Sequence, residues 1–414
     1  MSTSSPSLMA NSPSPESSTK PNTRLQGSRL QGLDLLRAVA IALVFMYHYM
    51  VFVSHEPTFG WLSQIGWVGV DLFFVLSGYL IGNQLFKGLA QQQTLSFRRF
   101  YWRRAMRTWP VFWLVLALYF LLPQLMGGNP PPPLWRFLTF TQNYQLMPGT
   151  AFSHAWSLCI EEQFYLLLPI VVWLCLKVAR KIPGTKVQHA FWLMLALIAA
   201  ACVYRYQMWL LYGPESAGQT RYFNAFIYYS SFARMDELLP GLALALFKNA
   251  YPTRWQGLAQ HAQKLQLLAF AAVAIMLYLL LNYGYIKDQG YGFFATVFGY
   301  SLLAIAFALL LASALQPGSL LAKYRIPGAA TLALWSYSLY LVHKPIGFII
   351  TTQAKTTGWS STTVLILNIV LSLVVSGVLY KLIEAPAMKL RDRLAPNIFK
   401  VEGFNQNAGF VGNK

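Results

Sequence analysis

Apolar residues run along this chain in long blocks that short polar segments separate. Each block is close to the ~20 residues that a helix needs to cross the hydrocarbon core of a bilayer. The blocks cover residues 33–53, 64–86, 109–126, 156–176, 189–212, 222–247, 266–283, 290–314, 329–352 and 362–384. Lipid leaves backbone groups unsatisfied except in helices or closed barrels, and these blocks do not alternate as barrel strands do. The pattern therefore predicts an all-α polytopic transmembrane helix bundle of about ten transmembrane helices.

The polar segments at the two ends predict tails. Residues 1–31 are rich in Ser, Pro, Asn and Gln and show no apolar region typical of a signal peptide, so we expect a disordered tail. Residues 392–414 are expected to form a cytoplasmic tail, which leaves 32–391 as the transmembrane domain. The shorter and mixed stretch 134–147 is expected to be interfacial or re-entrant.

The distribution of basic residues sets the expected orientation. The chain has 32 Lys and Arg against 13 Asp and Glu, a net charge of +19 that would also suit nucleic-acid binding. However, 23 of the basic residues fall in one set of connecting segments together with both termini, and only 4 fall in the alternate set. Cytoplasmic segments of membrane proteins carry such an excess. We therefore predict cytoplasmic termini, a multi-pass protein of the plasma or bacterial inner membrane, and no nucleic-acid partner.

Ionisable residues inside the predicted spans are the candidate functional groups, because a buried charge in a membrane is costly. Arg37 and His48 are eleven residues apart, so they share a helix face and lie about 16 Å from each other along the axis. Counted from the cytoplasmic side, His48, Asp71, Glu161 and His343 all fall about 20–22 Å into a core of about 30 Å. A buried polar site in the outer half of the bilayer is therefore predicted, although a lone histidine would more simply be a packing residue.

Other polar residues are predicted to lie near the depth of these four groups in the bilayer. Glu162 adds a second carboxylate to the fourth span. Arg234 and Glu237 lie nearer the cytoplasm, where they either continue the site or pair with each other at i,i+3 spacing. Ser336 and Tyr340 share a face with the histidine of the ninth span. That face either orients the histidine and binds a polar substrate, or hydrogen-bonds between helices.

A dense run of arginines, FRRFYWRRAMRTWP, precedes the third span. Orientation and contact with anionic lipid explain it most simply. The alternative is an anion pocket, because guanidinium forks grip phosphates, and Arg103, Arg104 and Arg107 are the candidates. The three cysteines match no metal-binding spacing, so no metal site is predicted.

The order of the motifs resembles a known family. GLDLLRAVAIALVFMYH, GVDLFFVLSGYLI, RRAMRTWP, WSLCIEEQFY, RMDELLPG, SYSLYLVHKPI and IEAPAMKLR are similar, in that order, to the blocks of the acyltransferase 3 family of integral membrane acyltransferases. The resemblance covers residues 31–391. It implies transfer of an acyl group, often acetyl, from acyl-CoA as co-substrate to a hydroxyl of a carbohydrate or glycolipid acceptor, with no bound cofactor.

Some members of that family carry an extra extracytoplasmic hydrolase-like domain. The residues after the tenth span are too few to form one, so we expect any second transfer step to need a separate protein.

The resemblance also implies roles for the buried groups. A base must take the proton of the acceptor hydroxyl, which suits histidine. His48 is the first choice, either as base or as a transient acyl carrier, and His343 is its rival. Asp71, Glu161 or Glu162 would fix the histidine tautomer, as carboxylates do in triads. The arginine of the first span and the arginine run would hold the phosphates of the donor on the cytoplasmic side.

A transporter or flippase for a polar solute is the competing hypothesis, because buried His, Glu, Asp and Arg also build proton relays. Against it, the sequence shows no inverted repeat and no paired interrupted helices. Acceptor-dependent release of free coenzyme A would distinguish the two functions.

Overall fold

Long helices dominate the structure, a computed structural model that describes residues 24–182, 184, 186–215 and 218–399, with side chains from Gln31 onward. They are α1 (Arg24–Tyr49), α2 (Val68–Ala90), α3 (Phe97–Leu121), α4 (Trp156–Lys181), α5 (Gln188–Tyr212), α6 (Leu238–Ala250), α7 (Ala262–Tyr283), α8 (Tyr300–Ala314), α9 (Ala329–Thr357), α10 (Ser361–Leu379) and α11 (Ala385–Leu394).

Shorter elements connect or extend these helices. The short α-helical turns are Trp61–Ile65, Leu134–Leu138, Gln219–Phe223, Ser231–Arg234, Pro252–Gly257 and Leu320–Lys323. The π-helical turns are Met50–Ser54, Asn224–Tyr228, Ala295–Gly299 and Tyr380–Glu384, and the 3₁₀ turns are Ser153–Ala155, Met235–Glu237 and Leu258–His261. Strands β1 (Tyr285–Ile286) and β2 (Gly290–Tyr291) pair in antiparallel fashion.

Seven helical stretches of the described chain are long and apolar enough to cross a membrane. They are Gln31–Ser54, Val68–Ala90, Ser153–Lys181, Gln188–Tyr212, Pro252–Tyr283, Ala295–Ala314 and Ser361–Leu394. The other three predicted spans correspond to α3, to α9 and to the interrupted segment that ends in α6, a helix of 13 residues that is too short to cross a bilayer alone. The helical architecture is thus confirmed, whereas the count of ten crossings and the orientation of the termini stay predictions.

The third helix begins at Phe97, so its predicted start at residue 109 is wrong. The arginine run is not a connecting segment but the first turns of α3. Partners on α11 and on the turn before it make this possible, because Arg103 pairs with Asp392 and Arg107 pairs with Glu384. The apolar pattern alone does not show those partners, so it places the start of the span after the arginines.

The sixth predicted span, 222–247, is broken rather than continuous. Its first part is a short helix and a π turn, and the chain bends at Ser230, which has extended backbone angles, before Ser231–Arg234 and α6. The break brings Arg234 to Asp71 of α2, with an Nη2–Oδ1 distance of 3.0 Å. Satisfying that buried pair offsets the helical hydrogen bonds that the break removes.

Helices α2 and α6 approach each other at glycines. A Cβ on Gly78 would lie 2.0 Å from the carbonyl oxygen of Leu238, and a Cβ on Gly241 would lie 2.0 Å from that of Val75. Small residues allow such backbone contact in membrane bundles, where van der Waals packing drives association. The contact holds α2, and with it Asp71, against the broken segment.

The chain ends were predicted to be tails. Residues 1–23 and 400–414 lie outside the described residues, and α1 begins at Arg24, within the range of the predicted first tail. After α11 the chain folds back, so that Ile398 and Phe399 are buried and the Ser96 amide donates to the Ile398 carbonyl over 2.9 Å. In the stretch 134–147, a helical turn, Leu134–Leu138, buries Phe137.

Candidate active site

Two histidines from different helices meet in the candidate site. His48 lies near the end of α1 and His343 lies within α9, and the distance from His48 Nδ1 to His343 Nε2 is 2.6 Å. Their rings stack with centroids 4.9 Å apart and an interplanar angle of 8°. Directly after Tyr49, the helix widens into the π turn Met50–Ser54, a feature that is frequent at functional sites. The two histidines therefore form a pair, and their depth in the bilayer stays a prediction.

The neighbours of this pair fix which nitrogen carries which proton. His343 Nδ1 lies 2.9 Å from the Leu339 carbonyl oxygen, which can only accept, so Nδ1 is protonated. The Nε2 of a neutral His343 is then an acceptor, and it receives the N–H of His48 Nδ1. This leaves a lone pair on His48 Nε2, for which the described residues supply no hydrogen-bond partner. His48, rather than His343, thus presents a basic nitrogen.

A third histidine, His154, lies beside the pair and was missed by the sequence analysis. Its ring centroid is 5.6 Å from that of His343 and 6.4 Å from that of His48. Its Nε2 donates to the Leu341 carbonyl over 3.1 Å, and within the described chain its buried Nδ1 has no partner. His154 lies in the turn before α4, so helical periodicity gave no sign of it. Its place two residues before the WSLCIEEQFY block was the available signal.

The predicted polar face of α9 packs against neighbouring helices. Ser336 accepts from Arg37 Nη2 over 3.1 Å, and His343 binds His48. The later residue of α1, His48, contacts the later residue of α9, His343, so the two helices run parallel. Tyr340 donates to the backbone carbonyl of the third histidine and lies 2.7 Å from the hydroxyl oxygen of Ser157. The side chains of this face therefore bind other elements of the bundle.

The two glutamates of α4 do not contact the histidines. Glu161 accepts from Ser77 Oγ over 2.9 Å and from Tyr165 OH over 2.7 Å. Glu162 accepts from Thr108 Oγ1 over 2.7 Å. The expectation that a carboxylate fixes the histidine tautomer is therefore wrong for both, since a backbone carbonyl has that role. In the part of the chain that the structure describes, no group of three or more His, Cys, Asp or Glu could hold a metal ion.

Asp71 belongs to a separate buried ionic cluster, so it does not orient a histidine either. Arg234 pairs with both Asp71 and Glu237, and all three side chains are fully buried. The guanidinium of Arg234 also lies 4.0 Å from the centroid of the Tyr300 ring. Arg234 thus pairs with Glu237, as their i,i+3 spacing allowed, and with Asp71, whose Oδ2 has no hydrogen-bond partner among the described residues.

The arginines at the start of α3 differ in their partners. Arg103 binds Asp392 over 2.9 Å and also the Ala395 carbonyl. Arg107 pairs with Glu384. Arg104 has no carboxylate partner among the described residues. Its guanidinium lies 5.4 Å from the centroid of the Tyr165 ring, and its Nε is buried without a hydrogen bond. Arg104 is thus the member of the predicted set whose charge is available to a ligand.

Arg104 opens onto a groove of about 1160 Å³ between α3 and α4. Its volume exceeds the ~300–1,000 Å³ of an ordinary ligand pocket. Its basic side chains come from the first turns of α3, and its acidic and amide side chains come from α4. We call it the α3–α4 groove, and the lining includes Arg98, Trp102, Arg104, Trp109, Glu162 and Gln163.

Comparison with known proteins gives the chain several relatives. It is 28% identical over 375 residues to the O-acetyltransferase OatA of Staphylococcus aureus (strain NCTC 8325 / PS 47), covering 87% of this chain and 57% of that protein. It is 28% identical over 377 residues to the putative peptidoglycan O-acetyltransferase YrhL of Bacillus subtilis (strain 168), covering 86% and 54%. It is 27% identical over 390 residues to the peptidoglycan O-acetyltransferase OatA of Listeria monocytogenes serovar 1/2a, covering 89% and 57%.

The chain thus spans little more than half the length of these curated relatives. No solved structure matches it. The profile of the acyltransferase 3 family, described as an acyltransferase domain, matches residues 30–381, which is most of the chain. With seven helices in its described part that are fit to span a bilayer, the protein is a multi-pass membrane protein. It belongs to the acyltransferase 3 family.

Proposed function

We propose that the protein transfers an acetyl group from acetyl-CoA to a hydroxyl of a peptidoglycan-type polysaccharide, with His48 as the general base. The histidine pair carries this proposal, because its hydrogen bonds leave a lone pair on His48 Nε2. Family membership supports acyl transfer, and the names of the relatives support the class of acceptor.

In the proposed reaction, the acceptor hydroxyl oxygen attacks the carbonyl carbon of the thioester and gives its proton to His48 Nε2. His343 Nε2 accepts the remaining N–H of His48 and stabilises the imidazolium. The coenzyme A sulfur then leaves and takes the proton from His48, which returns the base to its starting state. General-base catalysis of this kind contributes about 10²–10⁴-fold in rate.

The α3–α4 groove is the proposed donor site. Its basic side chains, Arg98 and Arg104, suit phosphate groups, which guanidinium binds with charge-assisted hydrogen bonds. Arg103 and Arg107 already bind carboxylates, so we assign them to holding α3 in place beside the donor. Arg37 donates to Ser336 Oγ over 3.1 Å and lies on the face of α1 that also carries His48. We therefore place the pantetheine arm along α1, from Arg37 towards His48.

The test uses purified full-length protein with acetyl-CoA and a soluble peptidoglycan fragment. We expect release of free coenzyme A that depends on the acceptor, together with the mass increase of one acetyl group on the glycan. Vesicles that take up a polar solute while no coenzyme A is released would instead support the transporter hypothesis. Release without modified glycan would contradict the proposed acceptor and leave the donor in place.

A further inference from the structure

A second, very small cavity lies on the α10 side of the histidine pair. Its volume is about 10 Å³, and its walls include His48, His343, Lys344 and Asn368. A cavity needs roughly 10–15 Å³ to hold one water molecule, so this one has room for a single oxygen atom. It is too small for a sugar or an acyl chain.

Asn368 is the unusual member of this wall. It lies on α10, its side chain is 2% exposed, and its Nδ2 has no hydrogen-bond partner among the described residues. A buried amide without a partner costs about 1–3 kcal/mol, so an unpaired one indicates either a functional role or an absent ligand.

Gly347 keeps this amide beside the histidines. It lies one helical turn after His343, and a Cβ at this position would come within 3.1 Å of Asn368 Nδ2 and 2.8 Å of Val53 Cγ2. Because glycine has no side chain, the amide nitrogen can lie against α9 next to the histidine pair.

Lys344 brings a second donor to the same cavity. Its Nζ donates to Ser153 Oγ over 3.0 Å and lies 4.4 Å from the centroid of the Phe52 ring. A lysine nitrogen has more than one N–H, so the bond to Ser153 leaves donor capacity for another oxygen. Lys344, Asn368 and His48 thus all line a space of about the size of one oxygen atom.

We propose that Lys344 Nζ and Asn368 Nδ2 form an oxyanion hole beside His48. This inference rests on the proposed acyl transfer. When the acceptor oxygen bonds to the acyl carbon, the electron pair of the carbonyl moves onto its oxygen, and the acceptor proton goes to His48 Nε2. The oxyanion accepts hydrogen bonds from Lys344 and Asn368. The electron pair on the oxyanion then re-forms the carbonyl double bond as the carbon–sulfur bond breaks. The leaving thiolate takes the proton from His48.

The variants Asn368→Leu and Lys344→Met each remove one donor at similar size. Loss of one oxyanion donor typically lowers kcat by about 10²–10³-fold, with little effect on ground-state binding. We therefore expect kcat to fall and KM for the donor to stay close to the wild-type value. Ser372→Ala is the matched control, because Ser372 lies one turn further along α10, is buried, and also has no partner for its hydroxyl in the described chain. It does not line the cavity, and its kcat should be unchanged.

Each variant is assayed with acetyl-CoA and, separately, with p-nitrophenyl acetate, an activated donor that has no phosphates. Equal losses of kcat with both donors support the oxyanion hole. If Asn368→Leu and Lys344→Met keep the wild-type kcat, or raise KM alone, the oxyanion hole is refuted while the proposed function stands. If the wild type uses p-nitrophenyl acetate but not acetyl-CoA, the proposed donor is refuted and the variants still test the hole. If it uses neither, both proposals fail.

Melting temperatures in detergent identify a variant that loses activity by unfolding. In that case Asn368→Asp, which keeps the shape of the side chain but replaces the donor, tests the oxyanion hole.

Discussion

The two paired histidines have different hydrogen-bond partners, and this difference gives them different proposed roles. Both ring nitrogens of His343 are engaged, one with the Leu339 carbonyl and the other with His48. His48 has one engaged nitrogen and one lone pair. In the proposed reaction, His343 therefore acts through His48 as a positioning residue, and His48 is the histidine that would take the proton of the acceptor. The depths predicted from the sequence put His48 and His343 at one level of the bilayer but did not distinguish their roles.

We predict that His48→Ala lowers kcat by at least about 10²–10⁴-fold, as expected for the loss of a general base. His343→Leu should lose part of that rate, because His48 then lacks the acceptor that fixes its tautomer. His343→Gln should recover activity relative to His343→Leu, since its Oε1 can accept the N–H of His48. Kinetics on monodisperse, correctly folded protein would check this. Near-normal turnover in His48→Ala with none in His343→Leu would reverse the assignment.

Arg104→Ala should weaken donor binding without affecting the acceptor. A hydrogen bond to a charged group contributes about 1.5–3 kcal/mol, so Kd for acetyl-CoA should rise about 10–100-fold. Arg37→Ala should also raise the Kd for acetyl-CoA. Arg98→Ala tests a second arginine of the groove. Titration of the purified variants with acetyl-CoA measures the effect, and unchanged affinity in both Arg37→Ala and Arg104→Ala would leave these residues with lipid contact and orientation alone.

At the scale of elements, the contact of α2 with α6 holds the buried ionic cluster against the bundle. Gly241→Ala places a Cβ about 2.0 Å from the Val75 carbonyl oxygen, which forces the helices apart. Overpacking of this kind typically costs about 1–3 kcal/mol, so we expect a lower melting temperature in detergent. Gly257→Ala is the control, since a Cβ there meets nothing within 4 Å. Equal melting temperatures for the two variants would show that α2 and α6 can separate without cost.

The elements also show what hydrophobic pattern can and cannot predict. Long apolar blocks located α4, α5 and α7 closely, because lipid-facing helices must be apolar over their whole length. The pattern failed where tertiary partners stabilise polar residues, as at Arg103 and Arg107 in the first turns of α3. It failed again at Ser230, where the break in the sixth span depends on a buried pair between distant segments. Long-range pairing of charges leaves no periodic signal in a single sequence.

The same limit applies to the site. The eleven-residue spacing of Arg37 and His48, and the helical spacing of Ser336 and His343, predicted groups that do line the α1–α9 contact. His154 and Asn368 escaped notice because His154 lies in a short 3₁₀ turn outside the apolar blocks, and Asn368 is a neutral residue inside one. Charge and periodicity mark the ionisable groups of a membrane site, whereas its neutral donors become visible when the helices are packed.

At the scale of the whole molecule, the distribution of basic residues bears on both the orientation in the membrane and the proposed donor site. Basic residues gather at one end of the bundle, where the arginine turns of α3 and the arginines of α11 lie together, with Arg103 bound to Asp392. Acetyl-CoA is a cytoplasmic metabolite, so its proposed site on Arg98 and Arg104 requires that end to face the cytoplasm. The histidine pair, further along α1 and α9, then lies towards the opposite face, where an envelope polysaccharide would be reached.

We therefore predict that both termini are cytoplasmic. The excess of Lys and Arg in the segments on that side, 23 against 4, is the physical reason, since such segments resist translocation. Reporter fusions at residues 10 and 400 should be inactive for a reporter that folds outside the cytoplasm and active for one that needs the cytoplasm. A fusion within residues 127–155, which carry one of the 4 opposing basic residues, should show the reverse and serves as the control. If either terminus reports from outside, the arginines of the α3–α4 groove are extracytoplasmic, and the proposal that they bind a cytoplasmic acyl donor fails with the topology.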